Sequence, residues 1–256
     1  MKPENFVSLH TIMRKEMARV LRIWPQTLMP AVITMGLYLI IFGKFIGSQL
    51  SDINGFTYME FIIPGIIMMS VITNSYSNIV SSFFGSKFQR SIEEILVSPT
   101  PSSVIIAGFV AGSVLRGLLV GFLVSLLCLL FGKVHIANLL IIFVFVILSS
   151  IVFALAGLIN GIFAKKFDDI SIIPTFVLTP LTYLSGVFYS IELLPPFWQA
   201  VSKLNPILYM VNGFRHGFLG FSDINIWFGL GMLIVFTIIL YSANFILIQK
   251  GVGLRS

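Results

Sequence analysis

Charged side chains are scarce in this chain, and their positions decide what chemistry it could do. Ten acids, sixteen Lys and Arg and three His are spread over 256 residues. The densest polar group is FQRSIEEILVSPTP, residues 88–101, which interrupts one apolar run after another. There Arg90 can meet Glu93 or Glu94 at i,i+3 or i,i+4, a contact worth only ~0.2–0.5 kcal/mol. Phe88, Ile92, Ile95 and Leu96 share one face of the same helix, with Gln89, Arg90, Glu93 and Glu94 on the others. Pro99 disfavours helix at Ser98, so the element is short. These residue types make a short surface helix with one apolar face and the rest polar.

Catalysis has less to work with. His10, His135 and His216 are dispersed, and neither HExxH nor GxSxG occurs. Gly43-Lys44 and Gly132-Lys133 lack both the preceding glycine spacing and the following Ser or Thr of a phosphate-binding loop. No metal, nucleotide or other cofactor is therefore expected on this chain. The single cysteine, Cys128, lies in an apolar run; it rules out an intrachain disulfide and reads as an inert buried thiol.

The elements that must position these residues are membrane helices. Hydrophobic residues make up 57% of the chain and charged ones 10%, against about 25% charged in a soluble domain. Six apolar runs can span a bilayer: Thr27–Ile46, Phe61–Ser82, Val104–Phe131, Asn138–Ala164, Ile170–Tyr189 and Ile226–Ile248. Helix is expected in each, because an open sheet would leave backbone groups unpaired in lipid. The expected fold is an all-α membrane protein with six transmembrane helices in one domain. No small-residue cleavage pattern follows the first apolar run, so no cleavable signal peptide is expected.

The net charge of +6 is read as topology. No basic run alternates with exposed aromatics, which argues against nucleic acid as a partner. With the N-terminus cytoplasmic, that side holds Lys2, Arg14, Lys15, Arg19, Arg22, Lys87, Arg90, Lys165, Lys166, Lys250 and Arg255, while Lys44, Lys133, Lys203 and Arg215 fall outside. Both termini are therefore expected inside. Residues 1–24 read as an interfacial helix: Phe6, Leu9, Met13, Met17, Val20 and Trp24 on one face, and Lys15, Arg19 and Arg22 toward anionic headgroups on the other. The glycine pairs Gly108/Gly112, Gly117/Gly121 and Gly157/Gly161 suit close helix packing within the chain.

Residues 190–225 are too apolar for a solvated loop. Their best span, Ile207–Phe221, is too short and too polar to cross, carrying Asn212, Arg215 and His216. Two short helices separated near Asn205–Pro206 are expected, dipping into the outer leaflet or capping the bundle. Within the spans, TNSYSNIVSS at residues 73–82 cannot all face lipid cheaply. Thr175, Thr179, Thr182 and Tyr183 recur on one helical face. Arg116, near the centre of the third span, costs ~2.5–3.5 kcal/mol unless it reaches water or a partner. Asn side chains or carbonyls inside the bundle would serve, as would a span that starts deeper in the cytoplasm.

FQRSIEEILVSPTP resembles the cytoplasmic signature of the ABC-2 family of transport permeases. There an Arg, a short acidic helix and a Ser-Pro follow the second span. LSGVFYSIELLPPFWQAVSKLNPILYMVNGFRHG, residues 184–217, is similar to a second signature of that family. The resemblance implies a permease subunit of a bacterial inner-membrane exporter, paired as a homodimer over two copies of an ABC ATPase subunit that binds ATP and Mg. It implies that residues 86–98 form a coupling helix, with Phe88, Arg90, Ile92, Glu93 and Glu94 meeting the ATPase, and that the N-terminal helix is a second contact. It also implies that the first, second and fifth spans line the path. The residues singled out there are Tyr38, Asn74, Asn78, Phe176, Thr179 and Tyr183. The re-entrant outer segment with Pro195, Trp198, Asn205, Pro206 and Arg215 would close the path externally. The alternative is a self-contained ion- or proton-coupled carrier or channel, which calls for acids deep in the spans. All ten acids are read as lying in loops or at span edges, which disfavours it.

Overall fold

The computed structural model describes residues 3–253; Lys2 and Arg255, two of the basic residues in the topology count, lie outside the described residues. The chain begins with α1 (Pro3–Arg22) and α2 (Trp24–Tyr38), broken from each other at Ile23. From α2 the helix continues as a π-helical stretch, Leu39–Ile46. Then come α3 (Tyr58–Phe88), α4 (Ser91–Val97), α5 (Ser102–Cys128) and α6 (Leu139–Phe163). The short α7 (Asp169–Ile173) runs through a π-helical turn, Pro174–Leu178, into α8 (Thr179–Tyr183). The chain ends with α9 (Pro196–Lys203), α10 (Pro206–Leu219) and α11 (Ile226–Lys250).

Among the described residues, five helices are long and apolar enough to cross a membrane: Trp24–Gln49, α3, α5, α6 and α11. The expected span at 170–189 is shorter than its apolar run. Its three helical pieces, of five residues each, stop at Tyr183. At 1.5 Å per residue they cover about 22 Å, less than the ~30 Å of a hydrocarbon core. Pro174 and Pro180 each remove a backbone donor, and Gly186 turns the chain at φ +72°.

α3 is the axis of the bundle. Of its most apolar window 83% is buried, against 22% for Trp24–Gln49 and 17% for α11. It starts on a capping box, in which Thr57 Oγ1 accepts from the Glu60 N–H and the Glu60 carboxylate accepts from the Thr57 N–H. Glycines let its neighbours close on it. A Cβ at Gly157 of α6 would lie 2.6 Å from Ile79 Cγ2 and 2.8 Å from the Tyr76 carbonyl oxygen. At Gly121 of α5 it would lie 2.5 Å from Val71 Cγ2, and at Gly117 it would overlap Ser75 Oγ. The third pair seats α1, with Ile12 over Gly108 and Glu16 over Gly112.

That contact overturns the expected orientation of the N-terminal helix. With Thr100 beside Ser8 (3.3 Å) and Ile12 and Glu16 on successive α5 glycines, α1 runs alongside α5 in the same direction. Lys15 donates to Ser86 Oγ and Arg19 to Asn78 Oδ1, so these two cations face protein rather than headgroups. Phe6, Val7, Met17, Leu21 and Trp24 are exposed on the outer side. The cause lies on α3, where Asn74, Asn78, Ser82 and Ser86 form a polar ridge at steps of four.

The expected helix over 86–98 is also redrawn. Arg90 adopts the left-handed conformation, φ +61°, which ends α3 at Phe88 and starts α4 afresh at Ser91. Phe88 and Ile92 therefore belong to different helices.

If close approach at Gly157 holds α6 on α3, Gly157→Leu should destabilise by about 1–3 kcal/mol, as overpacking does. Gly231→Leu, at a glycine with no neighbour within 4 Å of an added Cβ, should stay within about 0.5 kcal/mol. Thermal unfolding of the detergent-solubilised protein, read by size exclusion, distinguishes the two.

Candidate functional site

Three groups of polar side chains stand out, at different levels of the bundle. The innermost is a network of buried hydrogen bonds. Glu16, fully buried, accepts through Oε2 from Ser82 Oγ (2.6 Å) and Arg19 Nη2 (3.1 Å). Arg19 also donates to Asn78 Oδ1 at 2.8 Å, and Asn78 donates to Ser113 Oγ at 2.9 Å. The same Asn78 oxygen receives Arg116 Nη1 at 3.3 Å. Arg116 Nη2 reaches Asn74 Oδ1 and the Thr27 carbonyl oxygen, both at 3.2 Å. The intramembrane cation thus finds Asn side chains and a carbonyl inside the bundle, one of the two solutions open from the sequence.

This network changes two readings. Asn74 and Asn78 are buried and serve it, so they do not line an open path. The other is that not every acid lies in a loop or at a span edge: Glu16 is enclosed between α1, α3 and α5. The signal was present as one acid in a run of bases, RKEMAR, with Gly112 and Ser82 to receive it. It was legible only with the neighbours known.

The second group lines an open cleft of about 190 Å³ between α2, α3 and α7–α8. Tyr38 and Tyr183 hydrogen-bond through their hydroxyls at 2.7 Å, with Thr34, Thr73, Thr179 and Thr182 alongside. Of the residues expected on a path, Tyr38, Thr179 and Tyr183 come together here. Phe176 is 74% exposed on the neighbouring surface. Thr175 is exposed but outside the cleft, because the π-helical turn shifts the register of the expected face. Phe188 closes one end, 4.6 Å from Phe42 and stacked on Tyr183 at 6.1 Å.

The third group is α4 with its surroundings. Glu93 and Glu94 are exposed, as is Val97. Arg90 pairs with neither acid: among the described residues the carboxylate pairs are Glu16 with Arg19 and Glu60 with His135. Ile92 is buried in the chain's own core, which removes it as a partner anchor; Phe88 remains 64% exposed. Phe88 packs edge-on to Phe167, 5.0 Å away. The turn carrying Phe167 is held by Asp169, whose carboxylate accepts from the Lys165 and Lys166 N–H groups at 2.8 and 3.0 Å.

The far end of the bundle holds the remaining expected residues. Arg215 is fully buried, which withdraws it from the count of external charges. Its guanidinium lies 3.9 Å from the centre of the Phe61 ring and donates to the Gly186 carbonyl. Asn205 caps α10 at Pro206, accepting from Ile207 N–H at 3.0 Å, and donates to the Leu181 carbonyl. Pro195 and Trp198 are exposed at the start of α9.

Membrane-length helices thus surround a buried axis, with the exposed side of α4 at one end and a hydroxyl-lined cleft along one side. The chain belongs to the ABC-2 type transporter family, whose model matches residues 7–219. The inner membrane transport permease YadH of Escherichia coli (strain K12) is 58% identical over 251 residues, 98% of each chain. Nodulation protein J of Rhizobium leguminosarum bv. viciae is 23% identical over 215 residues, 84% of this chain and 83% of that one. Nodulation protein J of Neorhizobium galegae is 21% identical over 249 residues, 97% and 95% of the two chains. The protein is thus a transmembrane subunit of an ABC transporter, and ATP hydrolysis belongs to a separate ATPase subunit.

Because one Asn78 oxygen serves two guanidinium groups, Asn78→Leu removes one acceptor from each of Arg19 and Arg116. It should destabilise by about 3–6 kcal/mol, two hydrogen bonds to charged groups at ~1.5–3 kcal/mol each. Asn74→Leu removes one of three acceptors from Arg116 and should cost about 1–3 kcal/mol. Denaturant unfolding in detergent micelles gives both values.

Proposed function

We propose that the protein exports an amphipathic cargo across the bacterial inner membrane, as a homodimer seated on two ABC ATPase subunits with both termini cytoplasmic. The observation that carries the docking part is α4. It is a short helix at the start of α5 that buries Ile92 inward and turns Glu93, Glu94 and Val97 outward. A helix anchored by one apolar residue and free on its charged side transmits a push to the bundle behind it. Arg90 and Phe88 flank it and complete the surface offered to the ATPase, with α1 as the second contact.

The cleft supports the path. Its lining of Thr, Tyr, Met and Leu side chains has no charged member, which suits a neutral or amphipathic molecule. Tyr38, Thr179 and Tyr183 face the cargo, and Phe176 faces the second copy. In this reading Asp169–Tyr183 acts as the fifth of six crossings, completed by the turn after it. The segment from Pro195 through Arg215, with Trp198, Asn205 and Pro206, re-enters the outer leaflet and closes the path there. Inner-membrane placement rests on the name of the E. coli relative and on the apolar helices.

Glu93→Lys combined with Glu94→Lys should abolish co-purification of the ATPase subunit in mild detergent, or leave its ATP turnover uncoupled. Retention of the ATPase with unchanged turnover would refute docking through α4. For the dimer, Phe176→Cys should form an intermolecular disulfide in native membranes under mild oxidation. Trp227→Cys, on the exposed face of α11, should remain monomeric on the same gel.

A further inference from the structure

We infer that Glu16 is a positioning residue for energy coupling: it joins α1 to the spans, so that movement at the docking end reaches the cleft. This rests on the reading of the α1–α4 end as the ATPase contact. Four observations carry it.

α1 is in position to receive the push. A groove of about 280 Å³ runs between them, with Val7, Ser8, Thr11 and Ile12 on α1 facing Glu94, Ile95 and Ser98 of the α4 segment. Glu16 lies one helical turn beyond Ile12 on the same face, seated on Gly112 where any side chain would collide.

From Glu16 the hydrogen bonds are continuous. They run through Ser82 on α3, through Arg19 to Asn78, and from Asn78 to Arg116 on α5, which holds the Thr27 carbonyl of α2. Two turns further along α2, Thr34, Met35 and Tyr38 line the cleft. The N-terminal helix therefore contacts the cleft-lining helix through a polar relay as well as through the break at Ile23.

The charges do not balance. One carboxylate stands against two guanidinium groups in the network, and Glu16 Oε1 and Arg116 Nε are both buried without a partner. Apolar packing of the same volume would hold α1 at least as firmly, because buried ion pairs are often neutral or unfavourable next to a hydrophobic replacement. Such a joint offers instead discrete alternative pairings: the free Oε1 and free Nε are vacant positions to which partners can transfer when α1 shifts. Among the described residues, Glu16 is the carboxylate of this network, set against the two cations that share Asn78.

The test uses the permease reconstituted with its ATPase subunit in nanodiscs. Leu21→Cys, exposed on α1, in a Cys128→Ser background, carries an environment-sensitive fluorophore attached before assembly. The complex should shift its emission on adding ATP with vanadate. Glu16→Gln, nearly the same shape, should abolish that shift and lower ATP turnover by about tenfold, within the usual range of coupling between sites. Glu16→Gln with Arg19→Gln restores the original surplus of one cation and should recover the shift, although it removes a further hydrogen-bonding group. A merely structural role predicts the reverse, with the double variant weaker than the single. Should Glu16→Gln fail to assemble, the double variant still decides: assembly with a nucleotide response supports the joint, and failure like that of the single overturns it. A Glu16→Gln complex that responds as the parent does also overturns it. A parent complex that binds ATPase without any emission change refutes the docking reading itself, a result distinct from loss in the variant alone.

Discussion

A guanidinium inside a membrane bundle must be hydrogen-bonded by protein, and most of this architecture follows from where Arg116 finds its partners. Arg116 lies well inside α5 (Ser102–Cys128), about 20 Å from the start of the helix by its rise. Asn74, Asn78 and the Thr27 carbonyl serve it there. Those partners fix the rotation of α3, which in turn presents Ser82 and Ser86 in line with them. Once that ridge exists, α1 lowers its energy by turning Glu16 and Arg19 inward beside Ile12 and Val20, with Lys15 at the edge reaching Ser86 and Phe6, Met17 and Trp24 exposed. Gly108 and Gly112 are the condition for this, because any larger residue would hold α1 off the ridge.

This explains which parts of the fold were legible in the sequence. Five of the six apolar runs, the glycine pairs and the Asn205–Pro206 break each depend on a local property, and the helices follow them closely. The orientation of α1 does not. Amphipathic periodicity shows that two faces differ, yet a membrane bundle can receive either one: lipid takes the apolar side as readily as protein takes the polar side. Only the step-of-four ridge on α3 breaks the tie, and its meaning depends on the helix it meets. Glu16 is hidden for the same reason, since its charge sits on what reads as the headgroup-facing side of an interfacial helix.

Other differences have local causes that spacing cannot display. Arg90 holds the left-handed conformation at the α3–α4 corner, one more often found at Gly or Asn, so spacing alone reads a continuous helix there. The apolar run at 170–189 continues past the end of its helix. There Val187 packs against Gly65 and the Gly186 carbonyl accepts from Arg215, and the chain turns instead of crossing. From the sequence Arg215 counts as an external charge because it falls in the connection after the fifth apolar run. It is instead a buried post over Phe61 that pins this turn, and a desolvated cation–π contact of that kind is worth about 2 kcal/mol.

The exposed faces are unequal, and the inequality bears on function. α11 presents Trp227, Phe228, Ile234, Val235, Ile238 and Ile239, a surface that lipid satisfies completely. The opposite side, built by α2, α3 and α7–α8, mixes hydroxyls with aromatics and binds two of its own tyrosines together. Hydroxyls gain nothing from lipid tails, and each one left unpaired there costs free energy. Here several pair within the chain: Tyr38 with Tyr183, Thr179 with the Pro174 carbonyl and Thr182 with the Leu178 carbonyl. The cleft they line is therefore held in shape by its own hydrogen bonds, unlike the purely apolar face of α11. The buried polar network and the open polar cleft are therefore the two ends of one design, joined by α2, which gives its Thr27 carbonyl to the first and Tyr38 to the second.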